Sequence, residues 1–168
     1  IQALIKEKKE RAEAFGAGLT AELMLSYKDG RIQKIITDEN WNWRESPVSF
    51  SDIYDGEVYD ATYVDTELHS VIVFEGPTDT LIPQQGEEIR EQERLNAAKF
   101  FTTPTGEKII DFGQEITGYV EIELDAKAGE QVVLSFAEVM DKHGNFYNEN
   151  YRSAKSEYKY ICKDGKQK

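Results

Sequence analysis

Trp41, Trp43 and Tyr59 stand in a polar stretch beside Asp52, Asp55 and Glu57. That mixture suits the holding of a polyol ring. Flat aromatic faces stack on apolar C–H surfaces, and carboxylates accept hydrogen bonds from hydroxyls. These six residues form the candidate substrate-binding set. The competing reading, that Trp and Tyr here anchor a core, carries the greater weight, because large aromatics are well buried on average.

Other chemistries are poorly served. There is no phosphate-binding loop, dinucleotide fingerprint, nucleophile elbow or His/Cys zinc spacing. His69 and His143 are isolated and make neither a triad nor a metal site. Residues 141–145, Asp-Lys-His-Gly-Asn, read as a tight turn and fail the calcium-loop pattern, because His143 and Gly144 stand where oxygen ligands are needed. Hydrolysis of a glycosidic bond with inversion needs two carboxyl groups about 6.5–9.5 Å apart. Nothing among the 32 acidic residues singles out such a pair. No catalytic residue, metal or cofactor is assigned.

The formal net charge of −12 argues against nucleic acid, which requires a clustered Lys/Arg surface. No window of about 18 apolar residues is present to span a bilayer, so no membrane partner is expected. Cys162 is the lone cysteine, which rules out an intramolecular disulfide and suits a small apolar side chain in a strand. Ile1 is not an initiator and no signal-type segment follows it, so the sequence is read as an excised piece of a longer protein, its compartment open.

Several elements would position these residues. Helix formers over residues 4–15 end at Gly16, predicting one short helix. From Leu19 the pattern turns to strands, with residues 19–27 and 31–37 joined at Asp29-Gly30, a hairpin signal. Residues 38–61 read as loop, and residues 71–74 as a short buried strand. Further strands are expected over 99–103 and 108–112, around Pro104-Thr105-Gly106, and over 119–124, 131–139 and 158–162. Within 119–124, Val120, Ile122 and Leu124 alternate with Glu121 and Glu123, as on a half-buried strand. The whole reads as an all-β, antiparallel β-sandwich of jelly-roll type, one sandwich or two, with a boundary between Gly76 and Gly86.

The run Asp111-Phe112-Gly113-Gln114-Glu115-Ile116-Thr117-Gly118-Tyr119-Val120 is the most distinctive stretch. By itself it suits a structural turn: Asp and Gln satisfy loop amides, Gly permits positive φ, and Phe fills core. Together with Ala137-Glu138-Val139 and residues 148–154 it resembles the β-sandwich region of bacterial α-L-rhamnosidases, glycoside hydrolase family 78. Thr37-Asp38-Glu39-Asn40-Trp41, Ser46-Pro47-Val48 and residues 51–61 are similar to the end of that family's N-terminal module. Glu115 stands where the family usually has Asn, and Thr62 where Arg usually follows Ala61. The resemblance implies two modules, a truncated one over 1–80 and a second over 81–168. It further implies a parent that hydrolyses terminal α-L-rhamnosides with inversion in a separate (α/α) barrel. This chain is then expected to be inactive and to support that barrel, its contacts carried by Asp111, Gln114, Tyr119, Glu138 and Arg152. The alternative is a carbohydrate-binding module for L-rhamnose or rhamnosylated glycans.

Overall fold

The computed structural model of the chain describes residues 18–74 and 82–168. The helix expected over 4–15 lies outside them. The described chain is built from strands, in the order β1 (Glu22–Ser26), β2 (Ile32–Ile36), β3 (Asn42–Trp43), β4 (Val48–Asp52), β5 (Gly56–Asp60), β6 (His69–Ser70), β7 (Lys99–Thr102), β8 (Lys108–Asp111), β9 (Leu124–Ala126), β10 (Gln131–Ser135), β11 (Val139–Met140), β12 (Phe146–Tyr147), β13 (Glu157–Ile161) and β14 (Gly165–Gln167), with a short 3₁₀ turn at Glu149–Tyr151.

The turn chemistry legible in the sequence makes its hairpins. Asp29-Gly30 joins β1 to β2, where the Asp29 carboxylate accepts from the Arg31 backbone N–H at 3.1 Å and Gly30 takes φ +88. Pro104-Thr105-Gly106 joins β7 to β8. Asp141 closes the turn between β11 and β12, its carboxylate accepting from the backbone N–H of His143 and of Asn145 at 2.8 Å each.

The centre is a four-stranded sheet in the order β10-β13-β5-β4. β10–β13 and β5–β4 are antiparallel, whereas β13 and β5 run parallel, pairing Glu157 with Gly56 through Ile161 with Asp60. One parallel ladder thus joins the early and late parts of the chain, an addition to the wholly antiparallel expectation. Alternation along the strands puts Glu57, Tyr59, Tyr158, Tyr160, Val132 and Leu134 on one face. On that face the Tyr59 and Tyr160 rings stack at 5.4 Å and 6°. Such a pair adds about 1 kcal/mol to area burial.

Two expectations need correction. Residues 38–61 are not a loop: β3, β4 and β5 lie there, and the Asp and Ser that masked them occupy turn and edge positions. Residues 71–74 form no strand; Ile72 and Val73 are exposed, and no strand among the described residues supplies their ladder bonds. In 119–124 the burial alternates as expected, with Val120, Ile122 and Leu124 half-buried, yet a ladder forms only from Leu124.

Little is deeply enclosed. Among the described residues only Cys162 and Thr103 are buried. The chain presents 14789 Å², against about 8,400 Å² for a compact monomer of 19.2 kDa.

Candidate functional site

The start of β5 and the start of β13 meet at one end of the central sheet, and a groove of about 480 Å³ opens there. Ser51, Asp52, Ile53, Gly56 and Glu57 come from the β4–β5 hairpin, Tyr158 from β13, and Phe136 and Ser156 from the residues just after β10 and just before β13. Ile116, Thr117 and Gly118 close it from the loop after β8, within the distinctive 111–120 run. The fold therefore brings together two stretches that the sequence marks separately.

Local chemistry builds each wall. Asp52 turns the hairpin by accepting from the backbone N–H of Tyr54 at 2.8 Å and of Asp55 at 3.1 Å. Gly56 takes φ +89, and a Cβ there would run into the Glu157 backbone, so only glycine lets β5 approach β13 at this point. Backbone bonds from Ser156 N–H to the Tyr54 carbonyl at 3.0 Å and from Phe136 N–H to the Ser156 carbonyl at 3.2 Å tie the three segments together. Phe136 and Tyr158 meet edge to face at 5.0 Å and 71°, giving an aromatic floor. The carboxylate of half-buried Glu57 and the hydroxyls of Ser51, Thr117 and Ser156 have no hydrogen-bond partner among the described residues.

The six candidate substrate-binding residues divide. Asp52 and Glu57 line the groove. Asp55 accepts from the Lys155 backbone N–H at 3.3 Å and so helps dock the two segments. Tyr59 is spent in its stack on Tyr160. Trp41 donates its indole N–H to the Ile36 carbonyl at 2.9 Å, holding the end of β2. Trp43 pairs with His69 across β3 and β6, ring centroids 4.6 Å apart, and its outer face stays half exposed. Beside that ribbon the Tyr63 hydroxyl donates to Glu45 at 2.9 Å, and Asp65 accepts from the Glu45 backbone N–H at 2.8 Å. The Glu45 contact pushes the Tyr63 phenol up to about 12.

Of the second group, Asp111 accepts from the Gly113 backbone N–H at 2.7 Å, and Gly113 has φ +77, as the turn reading requires. Gln114 is exposed. Tyr119 donates its hydroxyl to Glu91 at 3.2 Å within an exposed network in which Arg94 reaches Glu91 at 2.6 Å and Glu121 at 3.2 Å. Glu138 and Arg152 are exposed and form no ion pair with each other. Their neighbour Tyr151 is raised by burial and by the charges of Glu138 and Glu115.

Ile116, Thr117, Phe136, Ser156 and Tyr158 were not anticipated as groove residues. Ile116 and Thr117 sit inside the distinctive run and were findable there. Phe136 and Tyr158 carried only a strand signal, and the register that brings them to Glu57 is long-range.

An apolar pair is left uncovered elsewhere. Each side of the β7–β8 ribbon carries one aromatic–aliphatic pair, Phe101 with Ile109 and Phe100 with Ile110. The first is half-buried, with Lys99 over the Phe101 ring at 4.6 Å. The second faces outward, Phe100 72% and Ile110 40% exposed. A ribbon covered on one side alone shows apolar residues on one face and polar on the other.

Two stretches match known families: residues 3–93 the α-L-rhamnosidase N-terminal domain, and residues 101–168 the bacterial α-L-rhamnosidase concanavalin-like domain. An α-L-rhamnosidase of Alteromonas sp. (strain LOR) is 34% identical over 96% of this chain and 19% of its own length. One of Formosa agariphila is 30% identical over 86% of this chain and 17% of its own. Among solved structures, the α-L-rhamnosidase of Aspergillus terreus shares the fold at TM-score 0.74 and 24% identity, over 88% of this chain and 18% of that one. The Streptomyces avermitilis enzyme, complexed with L-rhamnose, gives 0.71 and 27% over 88% and 16%. By these matches the chain belongs to the α-L-rhamnosidase family, and it spans less than a fifth of the relatives it matches.

Proposed function

We propose that the chain is a non-catalytic part of an α-L-rhamnosidase and that it supports the (α/α) barrel in which terminal α-L-rhamnosides are hydrolysed with inversion. The observation that carries this reading is the outward Phe100–Ile110 pair, two apolar side chains side by side on the exposed face of the β7–β8 ribbon. Its placement beside Asp111, which opens the distinctive turn, supports a shared contact face that includes Asp111, Gln114, Tyr119, Glu138 and Arg152. The two modules, 1–80 and 81–168, then act as one rest for the barrel, joined through β5 and β13 in a sandwich of jelly-roll type.

A second reading, a module that holds L-rhamnose or a rhamnosylated glycan, is favoured by the groove with its unengaged carboxylate and hydroxyls. The support reading is tested by two assays on the purified chain. No hydrolysis of an aryl α-L-rhamnoside is expected. A hydrophobic dye that fluoresces in apolar environments should bind the chain and bind the Phe100→Ser, Ile110→Ser double variant much less. Turnover of the rhamnoside, or equal dye binding by both chains, contradicts the reading.

A further inference from the structure

We propose that residues 119–123 are the seat of an added β-strand whose side chains alternate basic and apolar, laid antiparallel to them and in line with β14. The inference deepens the support reading and rests on it, because the strand comes from the longer enzyme. Burial along the segment alternates, with Val120 and Ile122 half-buried between exposed Tyr119, Glu121 and Glu123, which is the period of an extended strand. Yet none of its backbone N–H or C=O groups is hydrogen-bonded among the described residues, and the ladder to β14 begins only at Leu124. A row of unpaired backbone groups on a strand-like segment is what an incoming strand pairs with.

The ladder already present sets the register and the chemistry. β14 places Lys166 opposite Asp125 and Gln167 opposite Leu124. One step further the same register sets Lys168 opposite Glu123, and the Lys168 ammonium lies 2.9 Å from Glu121 and 3.9 Å from Glu123. Arg94 reaches Glu121 from a different segment at 3.2 Å. The exposed side of the ladder therefore matches cations to carboxylates, while its half-buried side sets Gln167 against Leu124. A strand continuing that register meets Ile122 and Val120 with apolar residues and Glu121 with a basic one. Opposite charges directly across a ladder stabilise it, and like charges destabilise it. A second copy of this chain fits badly: full overlap of 119–123 with itself sets Glu121 against Glu121, and a slip of one residue mixes the two faces.

The test uses the 168-residue chain and three short capped peptides carrying a fluorophore: one alternating Lys and Val, its scramble with the lysines together, and one alternating Glu and Val. Binding is read by fluorescence anisotropy, and its place by amide hydrogen exchange. The alternating Lys-Val peptide should bind saturably and protect the amides of residues 119–123, with the scramble roughly tenfold weaker and the Glu-Val peptide inert. In the Glu121→Lys, Glu123→Lys double variant the preference should reverse to the Glu-Val peptide; both side chains are exposed, and continued protection of the Leu124–Ala126 amides shows that the variant is folded. Absence of binding, equal binding of the scramble, or binding that leaves 119–123 unprotected overturns the seat. A double variant that still prefers the Lys-Val peptide overturns the charge match. Protection of 119–123 that rises with the chain's own concentration, without peptide, overturns the occupant in favour of a second copy. The hydrolysis and dye assays above do not involve residues 119–123, so the seat can fail while the support reading stands.

Discussion

Replacing Gly56 by Ala probes the joint on which the fold depends. Gly56 is the first residue of the parallel ladder, opposite Glu157, and takes φ +89. An L-residue held at such a φ costs about 1–2 kcal/mol. The added methyl would also run into the Glu157 backbone, which cannot swing aside as a flexible side chain would, and overpacking of that kind costs about 1–3 kcal/mol. The expected loss is therefore about 3 kcal/mol. For a chain of this size each 1 kcal/mol lowers the melting temperature by about 2–4 °C, so the shift should be about 6–12 °C. Gly129→Ala isolates the conformational part, because Gly129 has φ +86 but nothing within 4 Å of its would-be Cβ. Its N–H also bonds to the Cys162 carbonyl at the end of β13, so it reports on the same sheet. Thermal unfolding followed by circular dichroism should show Gly56→Ala falling well below Gly129→Ala. Equal shifts for the two variants would refute the close approach of β5 to β13.

The Tyr63 phenol should resist ionisation. Its hydrogen bond to Glu45 raises it to about 12, so among the late-titrating tyrosines, which include Tyr151 and Tyr160 raised by burial, tyrosinate absorbance should show one that Glu45→Gln moves back toward about 10; an unchanged curve contradicts the contact. Because the folded value lies above the unfolded one, the stabilisation it contributes is full below about pH 10 and fades as pH rises through about 12. On the acid side the sign reverses. Asp141 is held low chiefly by the Asn145 backbone N–H, and Asp65 by that of Glu67, so their stabilisation holds above the usual carboxylate range and is lost as pH falls through their lowered values. Asp141→Asn should be less stable than the parent chain at neutral pH, with the gap narrowing as pH falls below the usual carboxylate range, as read from urea midpoints; a gap that does not narrow in acid contradicts that assignment.

Local signals in the sequence carried the hairpins. Asp29-Gly30 and Pro104-Thr105-Gly106 fix φ and turn type within a few residues, and β1–β2 and β7–β8 formed around them. The 111–120 run was likewise legible, because Asp111 and Gly113 act on their own neighbours. The β4–β5 hairpin was not, since Ser49, Ser51, Asp52, Asp55 and Asp60 give it the composition of a loop although Val48, Phe50, Val58 and Tyr59 are strand formers. The parallel ladder β5–β13 left no local trace at all. Its register follows from how distant strands pack, and the groove inherits that non-locality. This is why an aromatic-acidic cluster that looked continuous over residues 41–59 comes apart: Trp41 bonds to β2, Tyr59 to its stack, and only Asp52 and Glu57 reach the groove.

The support role is tested most directly in a whole enzyme. This chain can replace the corresponding stretch of the Alteromonas α-L-rhamnosidase, to which it is 34% identical, and the half-life of rhamnosidase activity at raised temperature can then be compared with that of the same chimera carrying Phe100→Glu and Ile110→Glu. The account predicts an active chimera whose charged variant keeps its kcat when freshly prepared but inactivates several times faster, because two buried, unpaired carboxylates open the contact with the barrel. Equal half-lives for the two would contradict the claim that this face carries the catalytic domain.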